Sequence, residues 1–394
     1  MKSVFKIHSL KSTFLFWLVL CLLESPLSHA QVLPGAANTE VYLPLLNGKK
    51  IGVVAHQASL IYTDTQPQHL VDYLLENKVD VRGVFAPEHG FRGTADAGEK
   101  ITDQKDPKTQ LPIFSLYGSK RKPAPSQLEN IDLMVFDLQD VGVRFFTYLS
   151  TLHYVMEACA ELQIPLIVLD RPNPNTHYLD GPVLSKTHQS FVGMHPVPIV
   201  YGMTIGEYAQ MINGEKWLKE GIQCDLTVVP IQNFTHTTPY ELPVRPSPNL
   251  PNAQSVALYP SLCLLEPTVI SVGRGTHSQF QLYGHPTLPD TGFSFTPEPN
   301  FGSKDPKHKG QLCNGFDLTQ IPKPDKIELK WLLNAYTLFP DKANFFLNGF
   351  ERIAGVSELR HQIQKGISEK EIRTSWSKDL ESFKKIRARY LIYP

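Results

Sequence analysis

The chain reads as an α/β protein: an open, mostly parallel sheet with helices on both faces, followed by a smaller C-terminal α+β domain. Two observations predict this. From residue 48 onward, short β-branched or continuously apolar runs alternate with segments of helical spacing, the pattern of strand–helix–strand units. Beyond a stretch with five prolines at 239–251, a seam, the chain turns loop-rich and then helical.

Taken in order, KKIGVVAH (49–56) is a strand, LVDYLLEN (70–77) a helix and VRGVFAP (81–87) a second strand. IDLMVFDLQD (131–140) is an unbroken apolar run, as a strand covered on both faces requires. YLSTLHYVMEACAEL (148–162) is an amphipathic helix, and PLIVLDRP (165–172) another buried strand. TIGEYAQMINGEKWLK (204–219) reads as a helix with Thr204 as N-cap and Glu207 completing a capping box. CDLTVVPI (224–231) closes the series. Residues 257–320 carry short strands among loops, with Glu266 and Arg274 before and after one of them. Residues 327–338, 357–366 and 369–388 are helical, with Trp376, Phe383 and Tyr390 as apolar anchors. The expected division is thus a leader over 1–30, a catalytic domain over 31–250 and an auxiliary domain over 251–394.

The leader is read from Lys2, Lys6 and Lys11, the apolar run FLFWLVLCLL (14–23) and Ser28-His29-Ala30. A basic start, an apolar stretch of about ten residues and a small-x-small end describe a secretory signal peptide. The run is shorter than the roughly 20 residues of a membrane span, and bulky Leu20 before Cys21 argues against lipidation. Cleavage after Ala30 and export to the periplasm or medium are expected. No later segment is apolar enough to span a membrane.

Composition narrows the function. Lys plus Arg and Asp plus Glu both number 38 among 394 residues, so the basic excess that phosphate backbones demand is missing and nucleic acid is not an expected partner. Of the cysteines beyond residue 30, Cys159 and Cys224 read as small core residues, while a Cys263–Cys313 bridge stays open. No CxxC, HxH or HExxH spacing announces a metal and no GxSxG a serine nucleophile, so no cofactor or metal is expected.

Chemistry collects after the predicted strands. His56 follows the first; Glu88, His89 and Arg92, then Asp96 and Glu99, follow the second. Asp137, Gln139, Asp140 and Arg144 follow the next, and Asp170, Arg171 and Asn173 the one after. Ligands of open parallel sheets bind at the carboxyl ends of the strands, where these residues fall. Carboxylates abutting apolar strands pay desolvation, which suits them to acid–base work. Several around one cleft are what glycoside hydrolysis needs: an acid for the leaving oxygen and a charged partner as nucleophile or base. Glu88, set between Pro87 and a Gly90 turn, is the expected acid/base; Asp140, then Asp170 and Glu99, are candidates for its partner. Each has a plainer alternative: Glu88 capping amides, His89 filling a turn, Asp170 ion-pairing Arg171. His56, His89, Asp96, Asp140 and Asp170 would also serve a metal-dependent hydrolase, and a non-catalytic sugar-binding protein is a further alternative.

The strings NKVDVRGVFAPEHGFRGTADAGEKI, LPIFSLYG, IDLMVFDLQDVGVRFFTYLSTLHYVMEACAE, VLDRPNP, SFVGMHPVPIVYGMTIGEYA, PSPNLP and SVGRGT resemble, in order and spacing, the NamZ-type exo-β-N-acetylmuramidases. The resemblance runs from about residue 46 to the end. It implies a Rossmann-like catalytic domain, a smaller C-terminal domain, and release of N-acetylmuramic acid from non-reducing ends of peptidoglycan fragments. The sequence departs from the family pattern at Phe146, Pro267 and Val269, and by lacking a glycine soon after Pro174. For such a substrate, Arg144, Arg171 or Arg274 would meet the lactyl carboxylate, Glu266 and Arg274 would close the pocket, and Phe91, Phe145 or Tyr148 would stack on the sugar.

Overall fold

Six parallel strands build the central sheet: β1 (Lys50–Ala55), β4 (Asp80–Ala86), β6 (Pro112–Ser115), β7 (Leu133–Asp137), β8 (Leu166–Leu169) and β9 (Leu226–Val229). A two-residue strand, β5 (Gln104–Lys105), adds antiparallel to β6, and the order across the sheet is β5-β6-β4-β1-β7-β8-β9. Counting only the parallel strands in chain order gives 3-2-1-4-5-6, the doubly wound arrangement whose direction reverses between β1 and β7. Strands β2 (Leu60–Tyr62) and β3 (Pro67–His69) pair apart from it. The computed structural model describes residues 31–62, 66–92 and 104–394, of which Leu33–Pro394 is one compact unit. The expected leader lies outside the described residues, as do Asp96 and Glu99.

Side chains of the strands alternate between two apolar layers, as a period of two demands. Val54, Phe85, Met134, Phe136, Leu166 and Val168 face one layer; Ile51, Val53, Val84, Val135, Ile167 and Leu169 face the other. Each fully buried Val, Leu or Phe contributes about 1.5–3 kcal/mol. Helices α1 (Thr39–Leu46) and α2 (Leu70–Glu76) cover the second layer. The first is covered by the single turn α3 (Pro125–Leu128), by α4 (Tyr148–Leu162) and by α5 (Ile205–Gly214). Helix α5 starts as the sequence predicts, with Thr204 and Glu207 in a reciprocal capping box, but ends at Gly214, five residues short of the expected 219. Lys216, with φ +56°, takes the chain out of the helix.

After the proline-rich seam comes α6 (Ala253–Leu262), absent from the sequence expectation because Pro260 sits inside it, although Asn252 and Ser255 form a capping box. A three-stranded sheet follows, ordered β10 (Leu282–His285), β12 (Cys313–Asp317), β11 (Ser294–Phe295). The short strand expected between Glu266 and Arg274 is reduced to isolated bridges at Thr268 and Ser271. Helices α7 (Leu329–Leu338), α8 (Phe350–Ala354), α9 (Glu358–Gln364) and α10 (Glu369–Arg387) complete the chain. On α10, Ile372, Trp376 and Phe383 are buried in the same apolar layer as α4 and α5. Among the described residues no helix is long and apolar enough to cross a membrane.

Candidate active site

A pocket opens beside β1, at the carboxyl edge where the strand order reverses. It is lined by Glu88 and His89 from the loop after β4, Phe145 to Tyr148 at the start of α4, Ser247 and Asn249 from the seam, and Tyr259, Arg274 and Phe280 beyond it. It holds about 440 Å³ of atom-free space, its open mouth included.

Glu88 stands on a turn closed by the Gly90 N–H donating to Pro87 O at 3.0 Å. His89 and Gly90 both take positive φ there (71° and 78°), a conformation costly for histidine and held by its surroundings. Those surroundings include Ser247, whose hydroxyl lies 3.0 Å from His89 Nε2. The Thr147 hydroxyl donates to Glu88 Oε2 at 2.9 Å. Tyr117, two residues past β6, also hydrogen-bonds Glu88; burial first, and then the carboxylate, raise the Tyr117 phenol above its ordinary range. Two hydroxyls, one just past β6 and one at the start of α4, therefore hold one half-buried carboxyl at the pocket wall.

Beneath this wall the expected site residues serve as its support. His56 is fully buried, with Nε2 accepting from Gln139 N–H at 2.9 Å and Nδ1 3.2 Å from the Tyr148 hydroxyl. The first contact fixes the proton on Nδ1, so His56 donates to Tyr148, which donates onward to Pro246 O at 3.4 Å. Burial, with help from Arg171, pushes the His56 imidazolium well below its usual range and keeps the ring neutral. Gln139 donates to Asp140 O and Pro172 O, and Asn173 to Met203 O. The Asn173 carboxamide lies where a Cβ at Gly142 (φ +79°) would clash at 2.2 Å, so this crossing tolerates only glycine.

Of the candidate partner carboxylates among the described residues, neither Asp140 nor Asp170 lines the pocket with Glu88. Asp140 is 2 % exposed; its Oδ2 accepts from Gly142 N–H and the Tyr201 hydroxyl, and it does not line the pocket. Burial raises its pKa to about 7 against those two donors. Asp170 is fully buried and takes four donors: Arg171 N–H, Gly206 N–H at the start of α5, and the hydroxyls of Thr204 and Tyr393. It ties the chain's end to the helix, and burial lifts it too to about 7. Arg171 pairs not with Asp170 but with Asp137, through Nε at 2.5 Å and Nη2 at 2.8 Å. Arg92 holds Asp106 and lies over the Phe91 ring, and neither Arg92 nor Asp106 lines the pocket.

Nor is Arg144 paired with a carboxylate. Its guanidinium donates to four carbonyls, of Pro182, Val197, Ile353 and Ala354, stitching the loops after β8 to α8. Among the described residues His, Cys, Asp and Glu form no cluster of three fit for a metal. Arg274 is different, since it lines the pocket with Glu88. Its Nε and Nη2 donate to Glu266 Oε2 at 2.9 and 2.7 Å, and its guanidinium lies 4.9 Å from the Phe280 ring centre. Burial pushes the Glu266 carboxyl up, but Arg274 and then Lys307 bring it below the ordinary range.

Of the expected sugar-stacking rings, Phe145 and Tyr148 line the pocket, while Phe91 packs edge-on against His69 outside it. Sequence reasoning missed Tyr117, Thr147, Tyr259 and Phe280. Tyr117 follows β6, a strand too short and proline-led to recognise; the strand-exit rule would have found it. Tyr259 and Phe280 meet edge-on at 4.8 Å and come from loops and a helix with no periodic signal.

Comparison with known proteins agrees with this architecture. The model for "Exo-beta-N-acetylmuramidase NamZ, N-terminal" matches residues 51–254, and that for the C-terminal part matches 257–393. The chain is 39 % identical over 376 residues, 89 % of each chain, to the peptidoglycan beta-N-acetylmuramidase NamZ of Bacillus subtilis (strain 168). Two crystal structures of DUF1343 family proteins from Bacteroides fragilis superpose with TM-scores of 0.85 and 0.78 at 42 % and 27 % identity. Each covers 92 % of this chain and 99 % of its own. With both halves matched across nearly all the described chain, and the doubly wound sheet and pocket in place, this protein belongs to the NamZ family of exo-β-N-acetylmuramidases.

Proposed function

We propose that the chain is an exo-acting glycosidase that releases N-acetylmuramic acid from the non-reducing ends of peptidoglycan fragments, with Glu88 as its general acid/base. The observation that carries this is Glu88 itself. It is a half-buried carboxyl on a constrained turn, held by Thr147 and Tyr117 at the wall of the pocket. Family membership supplies the substrate class. In this scheme Glu88 protonates the glycosidic oxygen as the bond to the anomeric carbon breaks, and water takes the leaving sugar's place on that carbon, its surplus proton passing to solvent, from which Glu88 regains its own. Phe145, Tyr148 and Tyr259 are among the aromatic residues that line the pocket. The basic, apolar and small-residue order of residues 1–30 supports export, which would bring the enzyme to its polymer.

The experiment is turnover of a chromogenic N-acetylmuramide by the purified protein and by Glu88→Gln. The wild type should release N-acetylmuramic acid, and the variant should lose at least about a hundredfold in kcat, in line with the usual worth of acid–base catalysis, while its melting curve is preserved. Tight binding of muramic acid without turnover by the wild type would instead favour a binding protein.

A further inference from the structure

We infer that Arg274 is the residue that recognises the lactyl carboxylate and so makes the pocket discriminate N-acetylmuramic acid from N-acetylglucosamine. This rests on the proposed function, which supplies the sugar, and goes beyond it in assigning specificity to one side chain. The two sugars differ only at O3, where muramic acid bears an ether-linked lactate. A site that selects the former therefore needs a fixed cation within the sugar pocket.

Of the three candidate arginines, the structure leaves one for that task. Arg144 spends its guanidinium on four buried carbonyls, and Arg171 is locked to Asp137 below the sheet edge. Arg274 alone of the three lines the pocket. Glu266 occupies only its Nε/Nη2 side, and among the described residues Nη1 makes no hydrogen bond. The Nη1/Nη2 end is thus left as a fork of the width a carboxylate accepts in bidentate fashion.

Pairing with Glu266 does not consume the charge. Lys307 Nζ sits against the same segment, donating to Glu266 O, Thr268 O and Ile270 O at 2.7, 2.7 and 3.1 Å. Two cations around one carboxylate leave a local excess of one positive charge. Glu266 and Phe280 together fix the guanidinium plane, so little rotamer entropy remains to be lost on binding. The pocket then has two chemical poles: a carboxyl held by hydroxyls, for the leaving oxygen, and a preset guanidinium, for the anionic substituent.

The test compares kcat/KM on 4-nitrophenyl N-acetyl-β-muramide, on its lactyl methyl ester and on 4-nitrophenyl N-acetyl-β-glucosaminide. The proteins are wild type, Arg274→Gln, Arg274→Lys and the double variant Glu266→Gln/Arg274→Gln. The double variant removes the carboxylate that the single change would strand, and guards against misfolding. Arg274→Gln should lower the muramide-over-glucosaminide ratio about ten- to a hundredfold, mostly through KM, and abolish the preference for acid over ester; Arg274→Lys should recover part of both. An unaltered ratio in folded variants overturns the assignment. If the wild type hydrolyses no glycoside, the proposed function fails. Calorimetric binding of N-acetylmuramic acid and N-acetylglucosamine to wild type and Arg274→Gln then decides on Arg274: equal loss for both sugars refutes it, and selective loss for the acid upholds it.

Discussion

The Thr147 hydroxyl donates to Glu88 Oε2 at 2.9 Å, joining the turn after β4 to the first residues of α4. The contact fixes the carboxyl's rotamer at the pocket wall, and a reacting carboxyl misplaced by about 1 Å can lose a hundredfold in rate. Thr147→Val keeps the shape and deletes the donor. We expect kcat to fall about tenfold with KM little changed, and Thr147→Ser to restore it. Steady-state kinetics on a chromogenic muramide checks this; a fall in KM-controlled rate alone would mean that Thr147 touches the sugar instead.

Tyr117→Phe tests the second hydroxyl, which comes from the exit of β6. Because Tyr117 and Thr147 hold the same carboxyl, their effects should be coupled. The double variant should lose less than the product of the two single losses, since once the rotamer is free the second donor has less to hold. Fully multiplicative losses would show that the two act independently.

The sheet was legible because β1, β7 and β8 are buried on both faces and carry unbroken apolar runs. Glu88 was legible because a carboxylate after such a run, between proline and glycine, has few structural uses. What sequence did not disclose was which polar residue faces the pocket and which lies beneath it. His56, Gln139, Asp140 and Asn173 follow strands just as Glu88 does, yet they bond one another and the backbone. Separating the two sets needs the depth of each loop, set by crossings such as Gly142 on Asn173. Arg171 shows the same limit: its neighbour in sequence is Asp170, but its partner is Asp137 on the adjacent strand.

That buried pair yields a stability prediction. Arg171 and Asp137 are 3 % and 0 % exposed, so removing one partner strands the other's charge. Arg171→Met should cost about 3–5 kcal/mol in urea unfolding. Arg171→Met/Asp137→Leu should recover much of that loss, because it is the unpaired charge that costs most. A double variant no better than the single would place the cost in lost packing or in the Arg171 bond to Leu60 O.

The cysteines of the described chain, Cys159, Cys224, Cys263 and Cys313, are buried and free, so the bridge left open between Cys263 and Cys313 is not formed. Cys313 sits in a small cluster with Leu282 and Phe295, while Cys263 lies in the main core. Burial pushes the Cys313 thiol up to about 12, and thiolate is the reactive form. A thiol reagent at pH 8 should label none of the four in the native protein and all four after denaturation without reductant. A count of two after denaturation would reveal a bridge.

Asp140 gives stability a definite slope with pH. Burial raises its pKa to about 7 from an ordinary 3.8, so the folded protein binds this proton more tightly than the unfolded chain does. The stabilisation is complete below about pH 4 and is lost as pH rises through about 7, which is the sense linkage requires for a raised carboxyl. The loss is on the order of 4 kcal/mol, at about 1.4 kcal/mol per pKa unit, and is independent of pH above that range. Asp140→Asn imitates the protonated carboxyl at every pH. It costs a roughly constant amount where an amide N–H₂ replaces the Oδ1 that lacks a hydrogen-bond partner among the described residues. Urea unfolding at pH 5 and pH 8 should therefore show the wild type losing stability between the two, and the variant losing distinctly less. Equal losses would mean that Asp140 stays ionised, held by Tyr201 and Gly142 strongly enough to outweigh its burial.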